Sequence, residues 1–249
     1  MGKIYSGKTK DVYSLGDGNY RLVFKDTVTG KDGKFDPGEN QVGLEIEGMG
    51  AYNLRVSTMF FEELAKRGIK THYISSNLED GTMDVIGVTP FGKGLEVICR
   101  YRAVGSFVRR YGKYVHGGEK LDAYVETTLK DDDRNDPLVT REGLEALGIM
   151  TEKEFLDCKK STQDIAAVVR EILEKHGLEL YDIKFEFGRT KEGEVVLMDE
   201  ISSGNINMDD SKNINNGSNN VADLSDNSNS SSDKSPNSSF SIREVSDKE

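Results

Sequence analysis

The chain contains no tryptophan, only four prolines and only two cysteines, Cys99 and Cys158, among its 249 residues. Without a Cys-x-x-Cys pair or a Cys/His spacing typical of zinc ligands, a disulfide scaffold and a zinc site are both disfavoured, and a reducing cytoplasm is the expected location. No apolar run reaches the ~18 residues needed to cross a bilayer. The first ten residues, MGKIYSGKTK, lack the apolar stretch of a secretory signal. We therefore expect neither a membrane span nor a leader.

Positive charge is also scarce, with 33 Lys and Arg against 44 Asp and Glu and a formal net charge of −11. Such an acidic chain is poorly suited to bind nucleic acid through general attraction to phosphates. A local basic pocket for a small anion is compatible with this balance. The length is enough for one large α/β domain or two small lobes with a substantial core.

The composition changes abruptly near residue 207. Residues 1–206 alternate apolar clusters with charges, whereas residues 208–249 are mostly Asn, Ser and Asp. A segment with so few apolar side chains cannot bury enough surface to offset the entropy of ordering it. We therefore predict that residues 208–249 form a disordered low-complexity tail.

The rest of the chain has patterns typical of mixed helix and strand. Asp17-Gly18 lies between two β-rich runs and predicts a hairpin. Helical spacing predicts helices over 51–67 and 152–176, and a short helix over 106–111. Strands are predicted at 69–75, 83–88, 95–101, 179–187 and 194–200. Residues 29–40 form a long polar loop, and a loop of that length is more often functional than idle.

The segment from Gly2 to Thr9 matches the P-loop pattern G-x-x-x-x-G-K-[ST]. A true P-loop needs a strand before it and a helix after it, and here only Met1 precedes the match while a strand-like run follows. A P-loop NTPase is therefore a minor alternative. Lys8 and Lys10 are expected to alternate on one strand, so both ammonium groups would face one side and could hold a polyphosphate. Two solvated lysines are the competing interpretation.

Two other charged segments leave similar alternatives open. Arg100, Arg102, Arg109 and Arg110 surround Gly105-Ser106, and this cluster suits either an anion at a helix start or surface pairing with carboxylates. The segment from Leu129 to Pro137 packs Asp residues around Lys130 and is typical of a solvated loop. Pro137 is expected to bias Asp136 towards an extended conformation.

The predicted closing hairpin brings acids and a lysine together. Period-two alternation places Ile183, Phe185 and Phe187 on a buried face, so Lys184 and Glu186 share the other face. The partner run ends in Asp199-Glu200, and in a suitable register Asp199 lies near Glu186. Two carboxylates beside a lysine suit Mg²⁺ bound to nucleotide phosphates. A polar sheet face with cross-strand pairs is the alternative.

Six strings, taken in order, resemble the SAICAR synthetase (phosphoribosylaminoimidazole-succinocarboxamide synthase) family, a ligase family of purine biosynthesis. They occupy residues 5–13, 24–26, 96–106, 129–137, 184–188 and 199–202. The resemblance implies an α+β, two-lobed ATP-grasp-like fold with antiparallel sheets. In that fold, residues 1–90 would form a nucleotide-covering lobe and residues 91–207 a larger lobe, followed by the tail at 208–249.

The resemblance also implies a reaction in which ATP, carboxyaminoimidazole ribonucleotide and L-aspartate give the succinocarboxamide, ADP and phosphate, with Mg²⁺. The family pattern assigns ATP contacts to Lys8, Lys10 and Lys184, and Mg²⁺ to Glu186 and Asp199. It assigns the phosphate side of the ribonucleotide to Arg100 and Ser106, and the substrate pocket to Lys130 and Asp136. Lys184, Lys130 and Asp136 would be the catalytic group. The partners expected are these small molecules, without nucleic acid or membrane, and a homo-oligomer is compatible with the sequence.

The chain departs from the family pattern after Ser202. Asn207 stands where the resemblance implies an Arg for the ribonucleotide phosphate, and the Asn/Ser-rich tail replaces a partly helical closing segment. Losing one charge-assisted contact would cost about 1.5–3 kcal/mol of binding. An alternative to an active ligase is therefore a nucleotide- and Mg²⁺-binding member with impaired turnover.

Overall fold

The computed structural model of the protein describes residues 2–31, 34–35 and 42–210. In chain order the strands are β1 (Gly2–Ser6), β2 (Lys10–Ser14), β3 (Asn19–Phe24), β4 (Thr27–Lys31), β5 (Lys34–Phe35), β6 (Val42–Glu45), β7 (Tyr73–Asn77), β8 (Thr82–Ile86), β9 (Thr89–Pro90), β10 (Leu95–Arg102), β11 (Lys120–Leu129), β12 (Leu178–Arg189), β13 (Val195–Met198) and β14 (Ile206–Asp210). The helices are α1 (Met49–Lys66), α2 (Gly105–Tyr111), α3 (Arg141–Ala146) and α4 (Glu152–Lys175).

In the described residues the strands form two larger antiparallel sheets and a small three-stranded sheet of order β5-β4-β6. The first has the order β1-β2-β3-β8-β7, and the predicted hairpin joins β2 to β3 through Gly16 and Gly18, both with positive φ. The second has the order β11-β10-β12-β13, and β9 and β14 also pair with β12. The predicted α+β class with antiparallel sheets is confirmed.

The core lies between these sheets and the two long helices. Helix α4 packs on β10 and β12, and α1 packs on β3 and β7. Helix α4 begins with a capping box in which Thr151 and Glu154 satisfy each other's backbone N–H groups, and it ends before Gly177, whose φ of 75° suits a helix stop. Both long helices agree with the predicted ranges to within two residues. No helix in the described part of the chain is long and apolar enough to cross a membrane.

Three predicted boundaries need correction or fall outside the described residues. Strand β7 starts at Tyr73 rather than at residue 69, because the chain after α1 first makes a bridge from Thr71 to Leu197. Residues 208–210 belong to β14 rather than to a disordered tail, since this strand pairs with β12. The remainder of the predicted tail, 211–249, lies outside the described residues. Of the predicted loop at 29–40, residues 29–31 and 34–35 are strands, and the others lie outside.

Candidate functional site

An open cleft of about 1320 Å³ lies where the first sheet faces the polar side of the second. Six of the nine site residues predicted from the sequence line it, and they come from both sheets and the intervening loops: Lys8, Lys10, Lys130, Lys184, Glu186 and Asp199. The other three, Arg100, Ser106 and Asp136, do not line this cleft. The fold therefore gathers the cationic and acidic side chains that are far apart in sequence.

Lys8 and Lys10 reach the cleft from different local structures. Strand β2 begins at Lys10, whereas Lys8 lies in the turn between β1 and β2, so the prediction that both alternate on one strand is wrong. The turn closes with a hydrogen bond from the Gly7 N–H to the Lys10 carbonyl, 2.7 Å long. Because a strand rather than a helix follows Thr9, the segment cannot act as a P-loop.

Lys10 is buried and lies between two acids. Its Nζ is 2.8 Å from Oδ1 of Asp199 and 3.0 Å from Oε2 of Glu200. Burial of the Asp199 carboxylate opposes its ionisation, but the positive charge of Lys10 outweighs this effect and lowers the pKa of Asp199. Burial raises the pKa of Glu200 despite the same lysine. Lys10 therefore balances a local excess of negative charge at the base of the cleft.

The end of the closing hairpin brings Glu186 and Asp199 to the same cleft. Glu186 lies opposite Met198, so strict alternation would turn Asp199 to the other face of the sheet. Strand β13 instead ends at Met198 and Asp199 has a φ of 69°, and both Glu186 and Asp199 line the cleft. Ile183, Phe185 and Phe187 are buried on the other face, as the alternation predicted. Burial, together with the negative charge of Asp199, raises the pKa of Glu186. The negative charge of Asp199 thus disfavours ionisation of Glu186, as expected for two carboxylates that line one site.

Lys130 and Lys184 each pair with an acid on this face of the second sheet. Nζ of Lys130 is 2.7 Å from Oε1 of Glu186, and Nζ of Lys184 is 2.8 Å from Oε1 of Glu96. Although burial opposes protonation of Lys130, the charge of Glu186 raises its pKa. Both lysines are therefore held beside the carboxylates, where they can meet a polyanion.

Asp136 supports the cleft instead of lining it. Its Oδ1 accepts a hydrogen bond of 2.8 Å from the Asp131 N–H, and residues 131–134 of the same loop line the cleft. Its φ is 48°, so the predicted extended conformation before Pro137 is wrong. The left-handed turn at Asn135 and Asp136 lets the carboxylate fold back onto the start of the loop.

Arg100 and Ser106 form a separate buried cluster farther along the same strands. The Arg100 guanidinium donates to Glu126 at 2.8 Å, to Asp182 at 2.5 Å and to the Ser106 hydroxyl at 2.9 Å. Arg100 therefore pairs with carboxylates, which was one of the two interpretations of this arginine cluster. The pairing is buried and not on the surface, because Arg100 is only 3% exposed. Glu96 pairs with Glu186 and Arg100 with Asp182 in one β10–β12 register, so both groups occupy the same sheet face.

Position 207 adjoins this cluster. Asn207 lies opposite Asp182 in the β12–β14 register. The residue that departs from the family pattern thus sits beside the carboxylate to which Arg100 is bound.

The cleft is also lined by residues that the sequence did not single out as site residues, among them His72, Lys93, Glu96 and Glu200. His72 is 3% exposed, and its Nε2 is 2.9 Å from the Asp199 carbonyl oxygen. Burial lowers the pKa of His72 to about 4. Glu96 had a usable signal, because it is a lone acid at the start of the buried strand β10. His72 had none, since it is 127 residues from its partner.

Comparison with known proteins gives one family. Residues 3–227 match the family model described as SAICAR synthetase. The chain is 56% identical over 207 residues to the phosphoribosylaminoimidazole-succinocarboxamide synthase of Clostridium tetani, covering 83% of this chain and 91% of that protein. It is 40% identical over 200 residues to the enzyme of the same name from Thermotoga maritima, covering 80% and 81%.

Solved structures agree. A SAICAR synthetase from a structural genomics programme has a TM-score of 0.74 and 36% identity, over 86% of this chain and 90% of that one. A SAICAR synthetase in complex with ADP has a TM-score of 0.74 and 30% identity, over 84% of each chain.

Proposed function

The chain belongs to the SAICAR synthetase family and is an ATP-dependent ligase that joins L-aspartate to carboxyaminoimidazole ribonucleotide in purine biosynthesis, and we propose that it does so in the cleft between its two sheets. The observation that carries this proposal is the convergence of Lys10, Lys130, Lys184, Glu186 and Asp199 there. A related SAICAR synthetase has been solved with ADP, and a cleft with these charges suits such a ligand.

Lys8, Lys10 and Lys184 are assigned to the phosphates of ATP. Each is paired with a carboxylate: Lys8 with Asp132 at 3.1 Å, Lys10 with Asp199 and Glu200, and Lys184 with Glu96. These acids hold the ammonium groups at the cleft. A charge-assisted hydrogen bond from a lysine to a phosphate oxygen is stronger where water is excluded, as it is around Lys10, than at an exposed surface.

Glu186 and Asp199 fit a Mg²⁺ ion. Both are hard oxygen donors, and the raised pKa of Glu186 reflects burial and repulsion by Asp199 that a divalent cation would relieve. Among residues 2–31, 34–35 and 42–210, no group of three or more His, Cys, Asp or Glu side chains is arranged to hold a metal. Two protein carboxylates with phosphate oxygens and water are the usual ligand set for nucleotide-bound Mg²⁺. When bound, the ion would neutralise charge on the transferred phosphoryl group.

The chemistry assigned to this cleft begins with the substrate's carboxylate, which is a poor electrophile. Its oxygen attacks the γ-phosphorus of ATP, and the bond to the bridging oxygen breaks to release ADP. The aspartate amine then attacks the acyl phosphate, so a C–N bond forms, phosphate leaves and the nitrogen loses a proton. Positioning and charge neutralisation by Lys184 and Lys130 are what the protein contributes. Asp136 contributes by fixing the loop that carries Asp131.

The phosphate side of the ribonucleotide is assigned to Arg100, at the far end of the same sheet face, and to Ser106 in α2. Arg100 already donates to the Ser106 hydroxyl at 2.9 Å, so the two groups are arranged to act on one ligand. With Asn207 beside it, the cluster lacks a second cation at that position.

The wider organisation is also part of the proposal. We propose that residues 1–90 form a nucleotide-covering lobe and residues 91–207 the larger lobe of an ATP-grasp-like fold. We also propose the cytoplasm as the location of the protein. Contacts across the division are specific: β9 pairs with β12, and Thr71 bridges to Leu197. A homo-oligomer is compatible with this arrangement.

A substrate-omission assay tests the function. Phosphate release is measured with ATP, the imidazole carboxylate ribonucleotide and L-aspartate, and each is then left out in turn. We expect release only when all three are present. ADP formation that is independent of both other substrates would contradict the ligase mechanism. If the protein binds nucleotide tightly but releases no phosphate in the complete mixture, it is instead a member with impaired turnover.

A matched pair of variants tests the metal assignment. Glu186→Gln should abolish the Mg²⁺-dependent part of ADP affinity, measured by calorimetry with Mg²⁺ and with chelator, because one of two hard ligands is lost. Glu192→Gln, in the exposed turn of the same hairpin, should leave it unchanged. If the two substitutions have equal effects on the Mg²⁺-dependent ADP affinity, Glu186 is not a ligand of the metal.

A further inference from the structure

His72 is a buried side chain that the chemistry above does not use. It lies between α1 and β7, yet its ring reaches the closing hairpin of the second sheet. We propose that His72 is a positioning residue that holds Asp199 in its metal-binding conformation through a hydrogen bond to the Asp199 carbonyl. This inference rests on the proposed function, in which Asp199 is a Mg²⁺ ligand.

Asp199 needs such a support because its backbone is in an unfavourable region. Its φ is 69°, in the left-handed region that residues with a Cβ rarely adopt. Strand β13 ends at Met198, so the strand ladder does not fix the carbonyl of Asp199. Without a partner for that carbonyl, the peptide could relax and turn the carboxylate away from Glu186.

The imidazole supplies that partner. Nε2 of His72 is 2.9 Å from the Asp199 carbonyl oxygen, so Nε2 carries a proton and donates it. The carboxylate of the same residue is held separately by Lys10, with Nζ 2.8 Å from Oδ1. Asp199 is thus fixed at two points, its main chain by His72 and its side chain by Lys10.

The imidazole is itself held in place. The His72 N–H donates to the Leu197 carbonyl at 2.9 Å, and the His72 carbonyl accepts from the Ile86 N–H at 2.8 Å. The ring of Phe61 packs against it, with centroids 5.6 Å apart. His72 therefore ties β8 of the first sheet to β13 of the second, directly before Asp199. Through these contacts His72 fixes the position of Asp199, the proposed metal ligand, in addition to packing in the core.

Three variants separate positioning from packing. His72→Leu removes the donor and keeps most of the bulk, and His72→Gln restores an N–H donor. Phe61→Leu disturbs the packing of the ring but keeps the hydrogen bond. The readouts are melting temperature and the ADP dissociation constant, measured by calorimetry with Mg²⁺ and with chelator.

In His72→Leu, we expect the enhancement of ADP affinity by Mg²⁺ to fall by about tenfold or more, the usual effect of losing a partner that orients a metal ligand. Metal-free ADP affinity should not change. His72→Gln should recover most of the enhancement. Phe61→Leu should lower the melting temperature but leave the enhancement of ADP affinity by Mg²⁺ unchanged. If His72→Leu does not fold, His72→Met provides the same comparison.

Equal weakening of ADP binding with and without Mg²⁺ in His72→Leu would overturn the proposal, as would an effect of Phe61→Leu on the enhancement of the same size. Failure of the proposed function has a different signature. In that case Mg²⁺ would not raise the ADP affinity of the unsubstituted protein, or Asp199→Asn would leave the enhancement intact.

Discussion

Replacing Lys10 by methionine should strongly destabilise the protein at neutral pH. The substitution keeps the length and apolar stem of the side chain but removes the ammonium that lies 2.8 Å from Asp199 and 3.0 Å from Glu200. Removing one partner of a buried ion pair costs about 3–5 kcal/mol, because the remaining charge is left uncompensated. The side chain of Glu200 is only 8% exposed, whereas that of Asp199 is 35% exposed and partly screened by water. We therefore expect the lower end, about 3 kcal/mol.

The assay is urea unfolding at two pH values, supported by thermal melting. A loss of ~3 kcal/mol corresponds to a decrease of roughly 6–12 °C in melting temperature for a domain of this size. The destabilisation should shrink between pH 7 and pH 5. In the intact protein the pKa of Asp199 is lowered, so its contribution to stability is lost only below its unfolded pKa, outside this pH range. The change between pH 7 and pH 5 comes from the variant: burial raises the pKa of Glu200, and without the charge of Lys10 this acid takes up a proton more readily as the pH falls, which removes the uncompensated buried charge.

The matched control is Lys3→Met, in β1 of the same sheet. Lys3 pairs with Asp11 at 3.1 Å, but its side chain is 49% exposed, so its removal should have little effect. A Lys10→Met variant that is no less stable than Lys3→Met, or whose deficit is the same at pH 5 as at pH 7, would refute the view that Lys10 compensates buried negative charge.

Two further predictions concern the ribonucleotide end of the sheet and the cysteines. Asn207→Arg should lower the KM for the imidazole ribonucleotide by about tenfold or more, the equivalent of one added charge-assisted contact of ~1.5–3 kcal/mol; steady-state kinetics checks this, and an unchanged KM would place the ribonucleotide phosphate elsewhere. Burial raises the pKa of the Cys99 thiol to about 12 and also raises that of Cys158, so neither should react with a thiol reagent at pH 8 until the protein is unfolded. Rapid labelling of the native protein would contradict their burial.

Local periodicity was enough to predict the parts of the site that lie within one element. The alternation in β12 placed Lys184 and Glu186 on one face. Helix α4 was predictable because its apolar spacing is bounded by Thr151 and Gly177. In each case the information lies in neighbouring residues. The approach of Asp199 to the face of Lys184 and Glu186 depends on its positive φ after the end of β13, which periodicity does not predict.

Features that depend on tertiary contacts were not predictable. The sequence cannot show that Asp136 adopts a left-handed conformation to reach the Asp131 N–H, since the usual preference before proline is extended. Strand β14 consists largely of polar residues and forms because β12 offers it an edge. The partners of Arg100 come from β11 and β12, and the sequence left several carboxylates equally eligible.

Strand β12 spans the whole length of the assigned site. Glu186, the proposed metal ligand, and Asp182, beside Arg100, lie four residues apart on it, which corresponds to about 13 Å in an extended chain. The separation between the proposed nucleotide end and the proposed ribonucleotide end is therefore set by the covalent backbone and does not depend on flexible side chains. Inserting or deleting one residue between them would rotate one end to the opposite side of the pleat. Evolution can vary the side chains along this stretch more freely than its number of peptide units.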